Sequence, residues 1–148
     1  MNKLLKILFI PLMVTINSTS AETHTVKMLN SGEDGYMVFE PAVIKISVGD
    51  TVKFEATDMA HNSASIQGMI PSGAKPWTGL MSRDISVDFV EEGIYVYQCT
   101  PHLLMAMVGV IQVGESKNNL SEIKAIAEKK KNLFVTNKDR LDKYLLQL

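Results

Sequence analysis

The chain has 148 residues, of which 46% are hydrophobic and 21% charged, with a formal net charge of −1. That length holds one domain with a real core but not comfortably two. The charge balance is far from the strongly basic surface that nucleic acid requires, and a lone cysteine, Cys99, excludes an internal disulfide.

Residues 1–21 read as a secretory signal peptide. A short basic start with Lys3 and Lys6 leads into an apolar run over 7–16, broken by Pro11 and Thr15. The small polar stretch Asn17-Ser18-Thr19-Ser20-Ala21 follows, with cleavage expected after Ala21. The apolar run falls short of the about 20 residues that span a bilayer. An uncleaved anchor is the alternative, and its flanks fit less well. Cleavage would leave 127 residues with a net charge of −3. Within them, residues 22–114 carry five Lys or Arg against eleven Asp or Glu, a net −6, while residues 115–148 carry eight against five, a net +3.

Strands are expected where polar and apolar residues alternate: 25–29, 36–39, 43–48, 51–56, 84–90, 94–99 and 108–113. Residues 30–35 read as a loop by composition, Gly49-Asp50 and Glu91-Glu92-Gly93 as turns, and 57–82 as an irregular stretch rich in Gly, Pro and Ser. Many short alternating runs between turn signals predict a β-sandwich over 22–114. The period then changes. Leu120, Ile123 and Ala127 recur at helical spacing, as do Leu141, Tyr144, Leu145 and Leu148, so two short helices over about 119–148 should fold back on the sandwich. Thr136 followed by Asp139 is a candidate cap for the second. Lys129-Lys130-Lys131 reads as a solvated helix end.

The chemistry concentrates in Cys99-Thr100-Pro101-His102-Leu103-Leu104-Met105-Ala106-Met107, a short segment between two expected strands. His61, in Met59-Ala60-His61-Asn62, follows the strand 51–56 and can reach the same end of the sandwich. One thiolate, two imidazoles and a weak axial thioether are the donor set of a blue-copper electron-transfer centre. An unpaired thiol in an exported protein is a liability unless a metal occupies it, although a buried inert Cys is common. Zinc also accepts Cys and His but seldom Met. Met105 and Met107 compete for the axial position. Asn62 is placed to tie the His61 loop to the Cys99 loop, and Pro101 removes one N–H donor near the sulfur.

Other readings follow from the same residues. Seven methionines after residue 21, with Met59 two residues from His61, would suit a copper(I) chaperone or buffer, though core packing explains most of them. A copper enzyme needs an open coordination position or a second metal, and only His24, His61 and His102 are present. The expectation is therefore no enzyme. If Glu22 became the N-terminus, Glu22-Thr23-His24 could bind Cu(II) in a square plane; the simpler expectation for His24 is a flexible, exposed side chain at a frayed end.

From about Thr25 onward the chain resembles the pseudoazurins, small periplasmic cupredoxins. The resemblance rests on Met28-Leu29-Asn30, Gly35-Tyr36-Met37-Val38-Phe39-Glu40-Pro41-Ala42, Gly49-Asp50-Thr51-Val52, His61-Asn62, Gly68-Met69-Ile70-Pro71, Cys99-Thr100-Pro101-His102 and the run from Met105 to Val110. It also rests on the two C-terminal helices. It implies an all-β, Greek-key β-sandwich (residues 22–148 as a single cupredoxin domain) and one type 1 copper ion cycling between Cu(I) and Cu(II). The implied ligands are His61, Cys99, His102 and Met107, with Met105 not a ligand and Met37 near a ligand imidazole. It further implies a periplasmic monomer that passes single electrons through the exposed edge of His102. Its partners would be copper or haem redox proteins docked transiently on an apolar ring that includes Leu103 and Leu104, two residues that are often aromatic and glycine in the family. Family members ring that port with lysines. Ser31, Met59 and Gln98 stand at such positions here, which argues against docking by a basic patch.

Overall fold

The computed structural model describes residues 20–148; all but the last two residues of the expected signal peptide lie outside them. Eight strands form two four-stranded sheets. In chain order they are β1 (Thr23–Gly32), β2 (Gly35–Glu40), β3 (Val43–Ile46), β4 (Thr51–Glu55), β5 (Ala64–Ser65), β6 (Ile85–Asp88), β7 (Gly93–Gln98) and β8 (Val108–Val113). One sheet has the order β2-β1-β4-β6 and the other β3-β8-β7-β5. The β1/β4 and β3/β8 pairs are parallel and the remaining pairs antiparallel. Helix α1 (Leu120–Lys130) and helix α2 (Arg140–Leu145) follow. The fold is thus the expected β-sandwich with two short C-terminal helices.

Several boundaries differ from the sequence reading. The expected loop 30–35 is mostly strand: β1 runs on to Gly32 and turns through Glu33-Asp34 into β2, with Ser31 opposite Tyr36. Polar composition signalled a loop, but both faces of this hairpin tip are exposed, so polar residues suit it as strand. Neither Thr136 nor Asp139 caps α2 by a side-chain bond. Asp139 sits at the N-cap position in a helical conformation, and its carboxylate pairs with Lys143 Nζ at 2.7 Å instead. At the end of α1, Lys131 binds Glu128 and Asp142 at 2.6 and 3.2 Å, so part of the lysine run joins the two helices rather than facing solvent alone.

Two apolar cores lie on opposite faces of the sheet β3-β8-β7-β5. Between the sheets pack Val26, Met28, Phe39, Val52, Phe54, Trp77, Phe89, Tyr95, Tyr97 and Ile111, and this cluster ends in Cys99 and Met107. Alternation along β7 puts Tyr95, Tyr97 and Cys99 on one face, so the sulfur emerges at the rim of an aromatic core. On the other face Ile94, Val96, Val108 and Val110 meet Ile123, Ala127, Phe134, Leu141, Tyr144 and Leu145 from the helical segment. β8 is therefore buried on both sides along its whole length, which explains its near-continuous apolar sequence. Asn119, just before α1, both accepts from the Ile94 N–H at 3.0 Å and donates to the Ile94 carbonyl at 2.7 Å, fixing the helix to β7. Gly109 faces Tyr97 across the β7/β8 ladder, and a Cβ there would collide with the phenol ring.

Candidate metal centre

Three segments meet at one end of the sandwich. The first joins β7 to β8. It leaves β7 at Cys99, passes through a 3-10 turn at Leu103–Met105 and re-enters the sheet after Met107. Its backbone closes on itself: Cys99 N–H donates to Met107 O at 2.9 Å, His102 N–H to Cys99 O at 3.2 Å, and Met107 N–H to His102 O at 3.3 Å. The second loop carries His61, whose carbonyl accepts from Ser82 N–H at 2.7 Å. The third contributes Asn30 from β1.

The donor atoms converge. His102 Nδ1 lies 3.4 Å from Cys99 Sγ, His61 Nδ1 lies 3.7 Å from it, and the two Nδ1 atoms are 3.1 Å apart. The circumradius of that triangle is about 2.0 Å, the length of a metal–imidazole bond and slightly short of a metal–thiolate bond. Two imidazole lone pairs and a thiol sulfur pointing at one centre do not satisfy each other as hydrogen bonds. They suit a cation. Met107 is fully buried beside Cys99, whereas Met105 is 42% exposed. Met37 packs against the same core.

The surroundings orient each donor. Asn30 Oδ1 accepts from His61 Nε2–H at 3.0 Å, which leaves the lone pair on Nδ1. Burial, with the His102 ring next to it, holds the His61 pKa below its ordinary value, so the imidazole is neutral and ready to ligate. Burial pushes the Cys99 thiol up, and the backbone N–H groups of Asn62 and His102 pull it the other way. Asn62 performs the expected tie: its Oδ1 accepts from Thr100 N–H at 2.8 Å, and its Nδ2 donates to Gly79 O at 3.1 Å and Thr100 Oγ1 at 3.2 Å. His61 is wholly buried and His102 is half-buried, with Leu104, Met105 and Met59 exposed on the flanking loops.

His24 stands apart from this group and corrects the expectation of a frayed end. It lies in β1 opposite Val52, and its Nε2 is 2.9 Å from Asp50 Oδ2. The imidazole is thereby turned to a buried carboxylate and away from a square-planar N-terminal site. Asn30 and Arg140 are functional neighbours that the sequence reading missed. Asn30 was hidden in a segment read as loop, and only strand pairing aims it at His61.

The model of the copper binding proteins of the plastocyanin/azurin family matches residues 26–114. The pseudoazurin of Methylorubrum extorquens is 40% identical over 129 residues, covering 87% of this chain and 84% of the relative. That of Paracoccus pantotrophus is 38% identical, over 86% and 85%. The chain belongs to the pseudoazurin family. The crystal structure of pseudoazurin from Methylobacterium extorquens AM1 superposes with a TM-score of 0.75 at 38% identity, over 84% of this chain and 98% of that one. The pseudoazurin of Hyphomicrobium denitrificans gives 0.72 at 36%, over 85% and 98%. As a pseudoazurin, the protein is a copper-binding cupredoxin of the blue-copper, electron-transfer type, and the Cys and two His donors around one centre fit that metal.

Proposed function

We propose that this protein carries single electrons between respiratory redox partners in the periplasm and is not an enzyme, with His61, Cys99, His102 and Met107 holding one copper ion. The copper supplies a one-electron couple between Cu(I) and Cu(II). The observation that carries the reading is the convergence of three donor atoms about one centre under a half-buried histidine. His61 is enclosed and its outer nitrogen is committed to Asn30, so it offers no route outward. His102 would ligate through Nδ1 and is half-buried where His61 is wholly buried, which makes it the port. Thiolate and imidazole serve both oxidation states, and donors oriented by Asn30 and by the Asn62 tie limit rearrangement on electron transfer. Full burial of Met107 against the partial exposure of Met105 supports Met107 as the axial thioether.

Redox partners would dock transiently on the apolar ring formed by Leu103, Leu104, Met105 and Met59, with the protein acting as a monomer. Ser31 and Met59 are exposed where family members place lysines, and residues 22–114 net −6. A strongly acidic partner face is therefore disfavoured, and encounter rests on apolar contact with a neutral or basic face. Cleavage after Ala21 would deliver residues 22–148 to the periplasm as a single domain; intact mass of the exported protein reports the cleavage site.

The decisive test is the visible and electron paramagnetic resonance spectrum of the mature chain with one equivalent of Cu(II). An intense blue thiolate-to-copper band, bleached by reductant and restored by oxidant, is expected, and Cys99→Ser should abolish it. A colourless protein with an ordinary tetragonal copper signal would refute the ligand assignment.

A further inference from the structure

Arg140, the first residue of α2, is 5% exposed and forms no ion pair among the described residues. A buried guanidinium without a carboxylate needs other compensation. It finds five backbone carbonyls. Nη1 donates to Met37 O at 3.0 Å, Ala106 O at 3.2 Å, Tyr36 O at 3.3 Å and Met105 O at 3.4 Å. Nη2 donates to Asp34 O at 2.9 Å and Tyr36 O at 3.2 Å. The acceptors belong to two segments only, the β1–β2 hairpin and the end of the metal loop.

Two of these acceptors are strained. Met37 has φ 52° and Ala106 has φ 57°, a left-handed conformation that residues other than Gly and Asn seldom hold. Both present their carbonyls to the same nitrogen. Asn137, three residues before Arg140, adds a bond from Nδ2 to Met105 O at 3.3 Å, and Val135 N–H donates to Leu104 O at 2.7 Å. The helical segment therefore grips three consecutive residues of the loop, Leu104, Met105 and Ala106. Ala106 directly precedes Met107, and its left-handed turn ends the 3-10 turn and brings Met107 back to Cys99.

We infer that Arg140 is a positioning residue for the copper centre: its planar fork holds Ala106 and Met37 in their left-handed conformations and thereby sets where Met107 stands relative to Cys99 and His102. The C-terminal helices are on this view part of the centre's frame. Lysine cannot substitute, because a single ammonium on a flexible stem does not span carbonyls from two segments. The inference rests on the ligand reading above, and the two fail differently. A blue Cys99→Ser protein sinks the ligand reading, whereas blue Arg140 variants indistinguishable from wild type sink only the clamp.

The test compares copper-loaded wild type with Arg140→Met, Arg140→Lys and Tyr144→Phe. Tyr144 lies on the same helix and donates from its hydroxyl to Asp34 Oδ2 at 2.9 Å, so its loss weakens helix docking while the fork keeps its bonds to Met37 O and Ala106 O. Both Arg140 variants should shift the reduction potential, alter the visible and paramagnetic resonance spectra, and speed amide exchange at Met107 about tenfold or more. Tyr144→Phe should lower Tm and leave potential and spectra at wild-type values. Arg140 variants that lose Tm but keep wild-type spectra and potential would overturn the proposal, and so would full rescue by Lys. Should neither Arg140 variant fold, amide exchange in wild type decides. The amides of Ala106 and Met107 should open together with those of α2; loop amides that exchange while α2 stays protected would refute the clamp.

Discussion

Replacing Asn62 with Ala removes the cross-tie between the loop that carries His61 and the loop that carries Cys99 and His102. Asn62 is 5% exposed and makes three hydrogen bonds of 2.8 to 3.2 Å, to Thr100 N–H, Thr100 Oγ1 and Gly79 O. Each is worth about 1 kcal/mol net, and a buried group left without a partner loses more. Thr100 is exposed, so water replaces its two bonds, while Gly79 is buried and its carbonyl stays unpaired. The sum is about 3 kcal/mol. For a domain of this size, about 4 °C of Tm accompanies each kcal/mol, so Tm should fall by about 12 °C. The assay is thermal unfolding followed by circular dichroism on the copper-free protein, because copper binding to the native state adds stability of its own by mass action. Asn62→Asp keeps the acceptor for Thr100 N–H but loses both donated bonds, so it too should destabilise. A fall of less than about 4 °C in the copper-free Asn62→Ala protein would refute the reasoning, since one ordinary hydrogen bond would then account for all three.

Other outcomes follow from single contacts. Asp50 is buried and accepts from Glu22 N–H, Ser47 N–H and His24, and these bonds hold its carboxyl below the usual value. A depressed folded pKa gives stability that is present above the unfolded value and lost as pH falls through the folded one. Urea midpoints of wild type should therefore drop more steeply between about pH 5 and about pH 3 than those of Asp50→Asn; parallel curves would contradict this. Met107→Leu should raise the reduction potential by removing a donor that favours Cu(II), while Met105→Leu should leave it unchanged, as voltammetry would show. Gly109→Ala drives a methyl into the Tyr97 ring and should cost about 2 kcal/mol in chemical denaturation, since the ring is wholly buried and has no room to yield.

Much of this molecule is legible in the sequence because its physics is local. Alternation along 51–55 marks a strand with one face on a core, and the apolar runs at 94–98 and 108–113 mark strands buried on both faces. The spacing of Cys99, His102 and Met107 marks a loop that brings unlike donors together. What the sequence hides is non-local. Asn30 reads as a loop residue until the pairing of β1 with β2 and β4 fixes which way it points. Arg140 carries no signal in the sequence, since arginine is seldom buried without an acid and no spacing rule links it to Ala106. Asp139 has the right identity for a cap but the wrong backbone conformation to act as one, and only neighbouring Lys143 decides where its carboxylate goes.

These hidden contacts explain why the ligand loop can be both short and dependable. A loop of this length between two antiparallel strands would be mobile if only its own backbone held it. Here each side is fixed by a different body. The aromatic core holds Cys99 and Met107 from below, Asn62 holds Thr100 from the His61 side, and the helical segment holds Leu104 to Ala106 from the outside. Pro101 and His102 lack such a grip on their exposed edges, and on the proposed reading that is the stretch a partner would meet. Rigid donors under a small open window let the metal environment and the docking surface vary independently. Exposed residues such as Ser31 and Met59 can thus vary without disturbing the geometry about Cys99.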